Sequence, residues 1–69
     1  MLYKQEVKLS GVAQIVAYNN IVLGIDRWEY LAWAVCNGYS LKGAKSCWSK
    51  IHSLVTDERR GKVEIKIIR

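Results

Sequence analysis

The stretch from Asp26 to Thr56 constrains this chain most, because helix starts, a helix stop and an apolar stripe follow one another there at mutually consistent spacings. Asp26 reads as an N-cap, and Glu29 three residues on completes a capping box. RWEYLAWAVC continues as a helix, Asn37 and Gly38 supply a left-handed stop, and Ser40 restarts the chain as the N-cap of SLKGAKSCWSKIHSLV. The expected unit is a helix, a tight turn and a second helix.

The second helix carries the clearest periodicity. At about 100° per residue, Leu41, Ala44, Trp48, Ile51 and Val55 share one face, with Cys47 and Leu54 on its flank. Opposite them lie Lys42, Lys45, Ser46, Ser49, Lys50 and Ser53, and no acid occurs between Glu29 and Asp57. A helix that merely faces water usually alternates charge to gain pairs one turn apart, so a single-sign face points to an anionic partner. The first helix is apolar almost all round, with Trp28, Leu31, Ala32 and Val35 on one side and Tyr30, Trp33 and Ala34 on the other. Such a helix is expected to lie sandwiched between a sheet and the second helix, or else to lend its far face to a homodimer.

Around this unit the chain reads as strands. In residues 2–9, LYKQEVKL, apolar Tyr3, Val7 and Leu9 oppose charged Lys4, Glu6 and Lys8, and Ser10-Gly11 ends the run. VAQIVAY (12–18) and IVLGI (21–25) are rich in β-branched residues, and Asn19-Asn20 between them reads as a two-residue hairpin turn. Gly24 then marks a bulge or a close backbone approach. After the second helix, a charged turn leads into KVEIKIIR, a last strand expected to join the N-terminal sheet. The expected fold is one small basic α+β domain over residues 1–69, ordered βββααβ: a three-stranded N-terminal meander, a helix-turn-helix pair and a C-terminal strand. Arg59, Arg60 and Lys62 cluster at the last turn, where they either favour the carbonyl end of the helix or extend its lysine face as a wing does.

Composition narrows the function. A chain of 69 residues buries only about 60% of its unfolded surface, yet its 51% hydrophobic content rules against disorder. A net charge of +5 favours nucleic acid or another acidic surface. Cys36 and Cys47 are expected as reduced, buried thiols of a cytoplasmic protein, and with a single histidine, His52, the chain offers no zinc set. Lys4, Glu6 and Lys8 interrupt any signal-peptide core, and Gln14, Asn19 and Asn20 interrupt the longest apolar run, so no membrane partner is expected. Nor is catalysis or a cofactor: the carboxylates are scattered, His52 has no nucleophile at a recognisable spacing, and GYSLKG matches neither a Walker loop nor a dinucleotide fingerprint.

Ala34 stands four positions before the turn glycine Gly38, as the small residue of a helix-turn-helix does. The run IDRWEYLAWAVCNGYSLKGAKSCWSKIH resembles the core of the Bro-N/KilA-N type domains of phage and large DNA-virus antirepressors, over roughly half the chain. The resemblance implies a phage- or mobile-element-type regulator that binds double-stranded DNA. In that reading Lys42, Lys45 and Lys50 contact phosphates, Ser46 and Ser49 sit near base edges, and Arg59, Arg60 and Lys62 grip the flanking backbone. The alternative is a compact protein-binding module, such as a phage-encoded inhibitor of a host protein, anchored by Tyr30, Trp33 and Tyr39.

Overall fold

A computed structural model describes residues 4–68 as β1 (Gln5–Leu9), α1 (Val12–Val22), α2 (Arg27–Cys36), α3 (Leu41–Arg59) and β2 (Val63–Ile67). Leu2 and Tyr3, expected in the first strand, lie outside the described residues. The molecule is therefore βαααβ, and the expected βββααβ order with its three-stranded meander is wrong. β1 pairs instead with β2, in parallel, from Gln5 opposite Val63 to Leu9 opposite Ile67. Parallel neighbours cannot be joined by a hairpin; they need a long crossover, which here is the whole three-helix segment.

The error lies in residues 12–25, and its cause is physical. The segment is apolar nearly all round, so neither a strand period nor a helix period shows, and its valines and isoleucines tilt a local reading toward strand. In the structure Asn19 and Asn20 sit inside α1, and no non-glycine residue described has positive φ, so the hairpin turn they suggested does not form. Gly24, expected in a strand, is the left-handed stop of α1 at φ 77°. Around it the amide of Ile25 donates to Asn20 O at 2.8 Å and that of Gly24 to Ile21 O at 3.1 Å, the paired bonds of a Schellman end. A helix satisfies its own backbone while burying Ala17 and Ile21, whereas an isolated hairpin would have left its outer edges unpaired.

The helix pair forms at both expected starts, but the Glu29 side chain makes no bond back to Asp26, so the expected capping box is not closed, and α3 runs on to Arg59 through residues expected to form a charged turn. The Asp26 carboxylate accepts from the Trp28 amide at 3.2 Å, and the Ser40 hydroxyl accepts from the Gly43 amide at 3.0 Å. Gly38, at φ 88°, closes α2 with the amide of Tyr39 on Ala34 O and its own on Val35 O. The expected sandwich does not form: α2 packs on α1 and α3, and its buried residues are Tyr30, Leu31 and Ala34. Trp28, Ala32 and Val35 face outward.

The core joins Leu9 of β1, Ala17 and Ile21 of α1, Tyr30, Leu31 and Ala34 of α2, and Ala44, Ile51 and Val55 of α3. Each helix contributes at least one buried alanine, which lets the three backbones approach closely around the larger Tyr30, Ile51 and Val55. The sheet lies at the edge of this bundle, with Val7, Leu9, Val63 and Ile65 turned inward and Glu6, Lys8, Glu64 and Lys66 exposed. Among the described residues no helix is long and apolar enough to cross a membrane.

Candidate nucleic-acid interface

α3 divides cleanly into two faces. Ala44, Ile51 and Val55 are buried and Cys47, Trp48 and Leu54 half-buried, whereas Lys42, Lys45, Ser46, Ser49, Lys50, His52 and Ser53 are exposed. Leu41, expected on the inner face, is instead 46% exposed, because the first turn of α3 runs past the end of the core. At about 100° per residue, Lys42, Ser46, Ser49 and Ser53 form the middle of the outer face, with Lys45 and Lys50 on its two sides. Lys42 and Lys50 lie roughly 12 Å apart along the axis.

No salt bridge among the described residues engages these lysines; both that occur converge on Glu6, from Lys66 at 3.2 Å and Lys8 at 3.7 Å. The outer face of α3 therefore keeps its positive charge until Asp57, which falls roughly in line with Lys50 two turns later. Glu58 is turned toward α1, where it accepts from the Tyr18 hydroxyl at 3.1 Å. Burial, strengthened by this carboxylate, raises the Tyr18 phenol above its ordinary range.

Arg59, Arg60 and Lys62 are all exposed at the far end of α3, and Arg60 returns to the line of Lys42. They do not sit on a wing. A wing is a hairpin following the recognition helix, and β2 pairs in parallel with β1 instead. Three of these cations thus continue the α3 surface from a Schellman turn, in which the amide of Lys62 donates to Asp57 O at 2.9 Å.

The aromatic residues expected to anchor a protein partner are distributed differently. Tyr30 is fully buried, its hydroxyl donating to Ala13 O at 3.1 Å, so it has no surface to offer. Burial, with Cys47 beside the hydroxyl, pushes its phenol well above the usual tyrosine range. Trp33 is half-buried between Tyr30 and Tyr39, with ring centroids 5.9 and 5.8 Å away, and Trp48 closes the cluster 5.3 Å from Tyr30. Tyr39 is 42% exposed. The open aromatic that the sequence reading missed is Trp28, 59% exposed with the Arg27 guanidinium 5.1 Å from its ring centroid, near exposed Val22 and Leu23 in the chain. Cys36, expected buried, is exposed, and Cys47 is half-buried; both are free thiols.

No protein-family model, curated protein or solved structure matches this chain.

Proposed function

We propose that this chain is a small DNA-binding regulatory protein, of the kind carried by phages and mobile elements, that acts in the cytoplasm by docking α3 on duplex DNA. The observation that carries the reading is the outer face of α3: Lys42, Lys45 and Lys50 around Ser46 and Ser49, all exposed and none held by a carboxylate. It follows a four-residue turn and rests on two supporting helices, the arrangement that lets a recognition helix stand proud of its domain. Phosphate contacts would come from the three lysines, with Arg59, Arg60 and Lys62 reaching the backbone beyond the groove. Ser46 and Ser49 would lie nearest the base edges, where short hydroxyls read little, so affinity is expected to exceed sequence discrimination.

The test is the salt dependence of binding to a duplex. Each neutralised phosphate contributes a slope of about −0.9 to log affinity against log salt, so changing Lys42, Lys45 and Lys50 together to Gln should make the slope shallower by roughly 2 to 3. Changing exposed Lys4 and Lys8 to Gln is the control for net charge. Equal losses per lysine in the two variants would reject a docked α3.

A second reading is favoured by one observation. Val22, Leu23 and Trp28 expose apolar surface at the turn between α1 and α2, at 50%, 73% and 59%. That surface fits a module that binds a host protein, with Trp28 and Tyr39 replacing Tyr30 as anchors. Failure of the parent protein to bind duplex at physiological salt would select it.

A further inference from the structure

The sheet of this protein is incomplete. Among the described residues it has two strands, both of them edges, and parallel pairs usually occur in larger sheets covered on both faces. Its internal register also sets like charge against like: Glu6 faces Glu64, and Lys8 faces Lys66. Directly opposed like charges weaken a strand pair. Glu6 resolves its own position by reaching Lys66 and Lys8, but among the described residues Glu64 meets no cation.

The free edge of β2 is well defined. The amide of Gln5 donates to Lys62 O at 3.4 Å and that of Ile68 to Leu9 O at 2.9 Å, which fixes the phase of the parallel ladder. In that phase the even-numbered residues of β2 bond to β1, and the N–H and C=O groups of Val63, Ile65 and Ile67 point away from it. No proline interrupts the edge and its inward row is wholly apolar, so the residues that guard it are its outward charges, Glu64 and Lys66, and they decide which strand can pair there.

We infer that β2 pairs antiparallel with β2 of a second copy, making a continuous four-stranded sheet across a two-fold axis at Ile65. In this register Ile65 forms a hydrogen-bonded pair with the partner's Ile65, and Val63 does so with the partner's Ile67. Glu64 then lies opposite the partner's Lys66, and Lys66 opposite the partner's Glu64, in the closer, non-hydrogen-bonded pairs where side chains interact best. Charge selects this register. A slip of two residues either way sets Lys66 against Lys66 or Glu64 against Glu64, and a slip of one turns the apolar row to solvent. The second copy supplies the cation that Glu64 lacks, and it does so twice by symmetry. Nothing in this assembly requires DNA binding, and it leaves the outer residues of α3 unused.

Sedimentation velocity over about 10 μM to 1 mM tests it, because self-association depends on concentration. The parent should approach twice the single-chain mass of 7.9 kDa. Glu64→Lys should remain a monomer throughout while keeping its circular dichroism and melting temperature at low concentration, since the new cation would face Glu6 within its own chain. Lys66→Glu should also stay monomeric. An equimolar mixture of the two single variants should dimerise, because each chain then offers one sign at both positions and its partner the other. A parent that stays at one chain mass to the top of the range overturns the proposal. So does a dimer that survives in Glu64→Lys alone, or a mixture that does not associate.

Discussion

Replacing Asn19 by Ala separates the two possible structures of residues 12–25 by the sign of its effect. In α1, Asn19 is an exposed helical residue whose side chain makes no hydrogen bond among the described residues, and its backbone carbonyl accepts from the Leu23 amide at 3.0 Å. Alanine preserves that bond and is the better helix former by about 0.6 kcal/mol, because asparagine competes for backbone partners in non-helical conformations. No burial or packing is lost, so this difference is the whole expected effect. For a domain of this size it corresponds to a rise of about 3 to 5 °C in melting temperature. In a hairpin, Asn19 would occupy a turn position with positive φ, where alanine costs roughly 1 to 2 kcal/mol and lowers the melting temperature instead. Thermal unfolding followed by circular dichroism at 222 nm would show the difference directly. A fall of several degrees would refute α1 and restore the hairpin. Gly24→Ala is the companion measurement: a Cβ there would meet nothing within 4 Å, so its expected loss of about 1 kcal/mol isolates the left-handed backbone at φ 77°.

Ile51 is fully buried at the centre of the core, and Ile51→Ala should cost about 2 to 5 kcal/mol, a large share of the roughly 3 to 10 kcal/mol available to a domain this small. Urea unfolding should show the loss, and Ser46→Ala on the outer face should stay within about 0.5 kcal/mol of the parent. Tyr30 predicts the alkaline limit of the fold. Its folded phenol ionises well above the unfolded value near 10, so its contribution is complete below about pH 10 and declines above it, because the unfolded chain releases the proton first. Tyr30→Phe should lose about 1 kcal/mol at neutral pH, from the hydrogen bond to Ala13 O, and should fall less steeply than the parent above pH 10. Parallel stability curves for the two proteins between pH 9 and 11 would rule this out.

The parts of the fold that could be read in advance are those whose signals are local and redundant. Asp26, Gly38 and Ser40 each act within three or four residues of themselves, and all three do in the structure what their side chains or missing Cβ suggest. The inner stripe of α3 was legible because polar residues interrupt it at regular intervals. α1 was not, because its identity depends on partners distant in the chain: its exposed valines carry no cost that a local reading can see, and packing on α3 and α2 makes the helical form the better one. The pairing of β1 with β2 was half legible. Alternation revealed both strands, but parallel or antiparallel order follows from what lies between them, and that was the misread segment.

Which face of α2 is buried could have been found from a signal already in hand. Ala34, the small residue four before Gly38, marks where α2 meets α3, and it is fully buried. At 100° per residue Leu31 and Tyr30 lie within about 60° of Ala34 and share its burial, whereas Arg27, in line with it, opens the helix beyond the core and is exposed. Trp28 and Ala32 lie roughly 120° and 160° from Ala34 and are exposed, while Val35 and Trp33 flank it at about 100° on either side and only Trp33 is half-buried. The same step places Tyr30 in the core and Trp28 at the surface. Apolar content alone could not make the choice, since tryptophan and tyrosine occur on both faces. The outer face of α3 needed no such pivot: six consecutive polar outward positions without a carboxylate specify both the direction of the helix face and the sign of its charge.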